Sequence, residues 1–340
     1  MSQESSEPQT LIRSEFQKKI GSKIKCEICP HLCTLQEKEI GNCGGREVIS
    51  GELIATNYGQ ISSLQLDPIE KKPLYNFFPG SEILSVGPNG CSLSCAWCLN
   101  WKISQAKQLP TRMILPDDLV GMVEALDGIG VAYTYGEPLI WFEFVQDVGK
   151  ILHERGLVNI LLSNGYINEA PLKKLLPITD AFNIDLKSVD DCCYTNFCGG
   201  KLEDVQRTIK IVHDAGKHLE LTHLLVSDVS TDLRKTEELI NWIANIDPSI
   251  PLHLSKYFPA NRFDKPATDM QFISDAFELA KSKLDWVYIS NIWNGTGDNS
   301  VCKCGNLLVE RTGYDIDIKG MDGNICKACG AELNFVVDMK

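Results

Sequence analysis

Cys91, Cys95 and Cys98 stand in the run Gly90-Cys91-Ser92-Leu93-Ser94-Cys95-Ala96-Trp97-Cys98, a C-x3-C-x2-C pattern. Neighbouring cysteines so spaced lie at most ~14 and ~11 Å apart along the chain, so one compact loop can wrap a small metal cluster. The number of thiols is the informative quantity. A structural zinc takes four protein ligands, and an electron-transferring [4Fe–4S] centre is usually held by four cysteines. Three thiolates leave one iron open to another ligand. On the residues alone, the alternative is a zinc site whose fourth ligand lies far along the chain.

Eleven other cysteines bring the total to fourteen. Cys26-x2-Cys29-x3-Cys33-x9-Cys43 supplies four thiolates and so a closed site, compatible with zinc or an auxiliary iron–sulfur cluster. Zinc or a structural role is favoured, because no second redox step is evident. Near the other end, Cys302-x-Cys304-Gly305 and Cys326-x2-Cys329-Gly330 form two knuckles like a zinc ribbon or rubredoxin, for zinc or iron. The first knuckle is one residue short, which predicts a distorted or partly vestigial site. Cys192, Cys193 and Cys198 read as packing or incidental thiols, since adjacent cysteines rarely share one ion. Cys198 lies in a loop on the expected active face. The chain opens MSQESSEPQT, without a basic or apolar export signal, so a reducing, cytoplasmic setting is expected, where clustered cysteines are more often metal ligands than disulfides.

The elements that must position these groups are legible as a rhythm. Between about Glu82 and Asn291, short apolar runs alternate with longer amphipathic stretches. The runs are Ile83–Val86, Gly130–Thr134, Val158–Leu162, Ala181–Ile184, Leu219–Val226 and Pro251–Leu254, with Trp286–Ile289 as an edge strand. Helices are expected over Leu139–His153, Leu202–Ala215, Asp232–Ala244 and Asp269–Lys281. Six β/α units imply a parallel sheet covered by helices. An open doubly wound sheet and a partial barrel both satisfy this, and both put functional residues at the carboxyl ends of strands. The cysteine loop directly follows the first run. The expected divisions are a flexible polar leader over 1–20, a four-cysteine module and loop segment over 21–75, the β/α domain over 76–295 and a four-cysteine ribbon over 296–340.

Composition narrows the partners. Of 340 residues, 44% are hydrophobic and 23% charged, which excludes a disordered or fibrous chain. The balance of 33 basic against 45 acidic residues, net −12, opposes general binding to nucleic acid or anionic membranes. No apolar run approaches the ~20 residues of a membrane-spanning helix.

The loop, with its aromatic residue before the last cysteine, resembles the cluster signature of radical S-adenosylmethionine (SAM) enzymes. The resemblance extends to later strand ends. Tyr135-Gly136-Glu137 is similar to the GGE segment that holds the amino end of SAM, with Tyr135 replacing the first glycine. Ser163-Asn164-Gly165-Tyr166 matches the TNG-type turn near the ribose and carboxylate, and Asp185-Leu186-Lys187 matches the DLK segment whose lysine neutralises the carboxylate. Pro251-Leu252-His253 resembles the histidine-bearing strand end near the adenosyl group. Singly these are weak: Asn-Gly is usually a turn, Asp185 and Lys187 suit a surface pair, and a buried histidine commonly just packs. Their common placement at strand ends gives them weight. With Cys29-Pro30, Asp67-Pro68-Ile69-Glu70-Lys71-Lys72-Pro73-Leu74, Asn100–Gln105, Cys198-Gly199-Gly200 and the terminal ribbon, the chain from about residue 24 to 340 resembles the AmmeMemoRadiSam-system radical SAM enzymes, related to pyruvate formate-lyase activating enzymes.

That resemblance implies a partial (β/α)6 barrel, one SAM-cleaving [4Fe–4S] cluster on Cys91, Cys95 and Cys98, and gene-neighbourhood association with Memo-like and AMMECR-like proteins. It implies reductive cleavage of SAM and hydrogen abstraction, with an activase-like reaction on a protein as one expectation and a peptide or small-molecule substrate as the alternative. The electron donor would be a ferredoxin or flavodoxin. Asp67–Leu74 reads as a loop at the mouth of the site whose charged, rigid character also suits a protein partner. Two other classes compete: an electron carrier with several clusters and no SAM, and a binding module stapled by zinc.

Overall fold

The computed structural model describes residues 11–105, 109–292 and 297–338. Its centre is a nine-stranded sheet. The first strand, β1 (Gln60–Pro68), is antiparallel to β2 (Glu82–Pro88), with Asp67 opposite Ile83 and Leu64 opposite Val86. From β2 onward, neighbours pair in parallel and in sequence order: β3 (Gly130–Tyr133), β4 (Val158–Ser163), β5 (Ala181–Asp185), β6 (His218–Leu225), β7 (Leu252–Lys256) and β8 (Val287–Ser290). The two-residue strand Arg112–Met113 lies outside β1.

Burial explains the unbroken apolar runs. All of β3, and β4 and β5 but for one residue each, are buried, as strands covered on both faces must be. The crossovers are α1 (Pro116–Ala125), α2 (Phe142–Glu154), α3 (Glu169–Leu175), α4 (Leu202–Asp214), α5 (Leu233–Ala244) and α6 (Met270–Lys281). α4 buries Val205, Thr208, Ile209 and Val212, a single stripe at helical spacing. Asp232 and Asp269 cap α5 and α6 by accepting from the amides of Arg234 and Gln271. α1 starts on Pro116, which needs no amide partner in the first turn.

Three expectations are corrected. The leader is not wholly irregular: Gln17–Ile20 pairs with Lys23–Cys26, while residues 1–10 lie outside the described residues. β1 falls inside the expected N-terminal module but belongs to the central sheet. The segment after it is a floor and not a loop at the mouth, because its polar backbone is satisfied by side chains rising from the strands. The Asn183 side chain donates to the Pro73 carbonyl at 2.6 Å, and the amides of Tyr75 and Asn76 donate to Glu220 at 3.1 and 2.8 Å. Lys72 is only 1% exposed, its ammonium bonded to Asp67 at 2.6 Å.

The C-terminal segment packs beneath that floor. Cys302, Leu308, Val309 and Phe335 form one buried cluster with Tyr75, Trp286 and Tyr288. Arg311, also buried, places its guanidinium 4.4 Å over the Tyr75 ring and donates to the Tyr75 carbonyl at 2.8 Å.

Candidate active site

β2 delivers the chain into the cysteine loop, and several segments fix that loop's backbone. The amides of Ser94 and Ala96 donate to the carbonyls of Cys198 and Phe197 at 2.8 and 2.9 Å. The Cys95 carbonyl accepts from Gln105 and Asn261 at 3.0 and 3.3 Å, and the Arg262 amide donates to Ala96 at 3.0 Å. His31 Nε2 lies 2.6 Å from the Ser92 carbonyl. Trp97 is buried against Phe197 and Phe263, with ring centroids 5.8 and 5.7 Å away. Tyr194–Cys198 is a π-helical turn, a distortion that recurs at functional sites.

So held, the three thiols line one cavity of about 290 Å³ at the carboxyl ends of the strands. Cys91 Sγ accepts from the Leu93 amide and Asn164 Nδ2, both at 3.4 Å, and Cys98 Sγ lies 3.2 Å from Ser104 Oγ. Burial pushes the Cys91 and Cys98 thiols up. Cys95 is brought down to about 7, chiefly by a hydrogen bond from the Cys198 thiol, against burial and with help from the Lys187 charge. The three sulfurs do not gather within 4.8 Å of one another. Soft donors spread around a cavity in this way fit a polynuclear iron–sulfur group rather than a single ion.

The other strand-end residues converge on the same cavity. Gly136, Glu137, Ser163, Asn164, Asp185 and Lys187 all line it. At Gly136 a Cβ would come 2.5 Å from the Pro88 carbonyl oxygen, so only glycine lets this turn lie against the chain entering the cysteine loop. Glu137 is buried and ties three segments together: it accepts from the Leu139 amide at 3.0 Å, Ser163 Oγ at 2.8 Å and the Asn164 amide at 2.9 Å. Burial outweighs those donors and raises its carboxyl to about 7. Lys187 donates to Asp185 at 2.9 Å, and that carboxylate holds its ammonium in the charged form despite burial.

His253 is the exception. It is fully buried beneath the cavity, its Nε2 2.6 Å from Glu220 and its ring stacked 5.2 Å from Tyr288, and it does not line the cavity. Two residues further along β7, Ser255 does, together with Thr222 and Asn183. Sequence reasoning missed these three. Their signal was a polar side chain at or near the carboxyl end of a strand of the parallel series, where functional residues gather. Tyr135 is strained at φ +66°, where the resemblance expects glycine, and its hydroxyl donates to Asp67 at 2.7 Å.

The outer cysteines separate into two geometries. Cys302 and Cys329 stand 3.7 Å apart and Cys304 and Cys326 3.8 Å, with all four ligand atoms within 4.8 Å. Four thiolates on a tetrahedral ion with ~2.3 Å bonds are about 3.8 Å apart. The shortened knuckle therefore still closes its set, contrary to the distortion expected from its spacing. Cys326 is drawn down to about 6, led by the Cys329 amide. Cys26, Cys29, Cys33 and Cys43 line a common small cavity but do not form such a tight set.

A parallel sheet whose strand ends surround three loop cysteines and a partly buried lysine defines a recognisable class, and residues 86–240 match the family model described as the radical SAM superfamily. The chain belongs to that superfamily and is an enzyme related to pyruvate formate-lyase activating enzymes. It is 36% identical over 330 residues to an uncharacterized protein of Methanocaldococcus jannaschii, covering 95% of this chain and 98% of the relative. It is 28% identical over 185 residues to the pyruvate formate-lyase-activating enzyme of Clostridium pasteurianum, covering 51% of this chain and 77% of that one. Among solved structures, a domain of pyruvate-formate lyase-activating enzyme from Bacteroides vulgatus is similar at 21% identity and TM-score 0.43, over 48% of this chain and all of that one. The superfamily uses a [4Fe–4S] cluster and SAM. No described helix is long and apolar enough to cross a membrane.

Proposed function

We propose that Cys91, Cys95 and Cys98 hold the SAM-cleaving [4Fe–4S] cluster and that the enzyme abstracts a hydrogen atom from a protein, in an activase-like reaction. The observation that carries this reading is the convergence of three thiols and Lys187 on one cavity at neighbouring strand ends. When bound, the reduced cluster supplies the electron that splits SAM into methionine and a 5′-deoxyadenosyl radical.

The chain's residues bind and orient. Lys187 neutralises the carboxylate of SAM, and the Gly136-Glu137 turn with Ser163 and Asn164 receives its amino and ribose ends. The Asp67–Phe77 floor and the Asn183, Thr222 and Ser255 side chains close the cavity from below, excluding water from a reactive radical. His253, expected near the adenosyl group, acts instead as a support for that floor through Glu220. A protein substrate suits the apolar rim: Leu99 lines the cavity and is 58% exposed, with Trp101 beside it at 40%. The likeness to the activating enzyme of Clostridium pasteurianum points the same way. The reading also takes in a partial barrel, a ferredoxin- or flavodoxin-class electron donor and the AmmeMemoRadiSam grouping.

Anaerobically reconstituted, dithionite-reduced protein should convert SAM to 5′-deoxyadenosine and methionine. Cys91→Ala, Cys95→Ala and Cys98→Ala variants should each lose this activity. Cluster-loaded wild type that leaves SAM intact would overturn the proposal. For the activase step, incubation with a candidate partner should yield an oxygen-labile glycyl radical by electron spin resonance.

A further inference from the structure

We propose that Cys26, Cys29, Cys33 and Cys43 hold a second, polynuclear iron–sulfur cluster that relays an electron to the SAM-cleaving site; the relay step rests on the function proposed above. This replaces the zinc or structural role favoured from the sequence, where spacing suits either metal group and no second redox step is evident.

Geometry separates the two metals. On a single zinc ion the thiolates crowd to about 3.8 Å, which leaves no void between them. The C-terminal cysteines have that arrangement. The four N-terminal thiols instead line a common small cavity, and no three of them gather within 4.8 Å. In a cluster each thiolate binds a different iron, so the sulfurs stand apart around a filled core. The lining is otherwise Ile28, Gly41, Asn42, Ile140 and Arg46, which supplies one cation.

Arg46 is that cation, 1% exposed. One guanidinium nitrogen forms an ion pair with Glu143 at 2.6 Å and another donates to the Ile140 carbonyl at 2.8 Å, while Nε has no hydrogen-bond partner among the described residues. Its charge acts on Cys43 and Cys26. A buried cation beside four thiolates offsets part of the negative charge that such a group carries.

Position supplies the function. The Cys43 carbonyl packs so closely on Gly90 that a Cβ there would overlap it, and Gly90 directly precedes Cys91. His31, between Cys29 and Cys33, contacts the cysteine loop at the Ser92 carbonyl. Cys29 and Cys33 are only partly buried, whereas Cys95 is buried. An external low-potential one-electron carrier would reduce the N-terminal cluster by one electron. That electron then passes across the Cys43–Gly90 contact to the inner cluster, which is reduced as the outer one is reoxidised. No atom is transferred.

The test is metal analysis and electron spin resonance on the full chain, prepared anaerobically with iron and sulfide. Wild type should hold about eight iron atoms, plus one metal at the C-terminal site. A Cys91→Ala/Cys95→Ala/Cys98→Ala variant should keep about four iron and four sulfide, with a reduced-cluster signal that SAM does not change. A Cys29→Ala/Cys43→Ala variant should keep a signal that SAM does change. Zinc in place of iron in the triple variant, or about four iron in wild type with a tightly bound zinc at the N-terminal cysteines, would overturn the second cluster. Failure of the function reading would look different: two clusters present, and neither signal responsive to SAM.

Discussion

Lys187 is partly buried, its side chain 14% exposed, whereas its partner Asp185 is 45% exposed on its side chain. The pair is therefore asymmetric, and an incoming carboxylate can compete for the lysine while Asp185 turns to solvent. Removing the charge should cost the ~1.5–3 kcal/mol of a charge-assisted bond. Lys187→Ala is expected to weaken SAM binding by about ten- to a hundred-fold while leaving iron content at the wild-type level, measured by equilibrium binding to the reconstituted protein. Unchanged affinity would show that the lysine does not meet the carboxylate. At this scale the sequence was most informative where chemistry demands a particular residue type. Three cysteines, a lysine and a turn glycine are identifiable without coordinates. His253 was misplaced because a histidine at a strand end looks the same whether it faces a ligand or a buried glutamate. Burial would raise Glu220, yet hydrogen bonds from His218 and His253 take it down to about 2. That network ties the floor to the strands, since Glu220 also accepts from the Tyr75 and Asn76 amides.

The strands and helices of the β/α series were legible because their periodicity reflects burial on both sheet faces, and most observed bounds fall within about two residues of the expected runs. β1 was not legible. Ser62, Ser63, Gln65 and Asp67 interrupt its apolar pattern, because this antiparallel strand leads into a polar floor. Nor could spacing show that the cysteine loop and the N-terminal module touch. At Gly90, φ is +111° and the Cβ of alanine would collide with the Cys43 carbonyl, so this contact specifies glycine twice over. Gly90→Ala should destabilise the fold by on the order of 2 kcal/mol and reduce iron incorporation, read by thermal unfolding and by iron per chain after reconstitution. Wild-type values in both would refute the close packing of the two segments.

The molecule as a whole is built from the floor outwards. Arg311 bonds Tyr75, Ser300 and the Asp298 carbonyl, and its Nε lies 3.7 Å from buried Glu70. Deleting that guanidinium leaves Glu70 without its balancing charge. Arg311→Met is expected to lose about 3 kcal/mol or more in denaturant unfolding, although Arg311 lies outside the cavity lining. A loss under about 1 kcal/mol would mean that the C-terminal segment is dispensable for the floor. This architecture was hidden in the sequence, since a four-cysteine ribbon reads as an independent module. Its surface gives the dependence away only in three dimensions, where Leu308 and Val309 share a core with Tyr75 and Tyr288. The Arg311–Tyr75 bond joins positions 236 residues apart. A ribosome must therefore synthesise the chain through Arg311 before the C-terminal segment can pack beneath the floor. Until then Cys91, Cys95 and Cys98 belong to a nascent chain whose floor lacks that support, and any iron loading that depends on it must wait until residue 311 has been made.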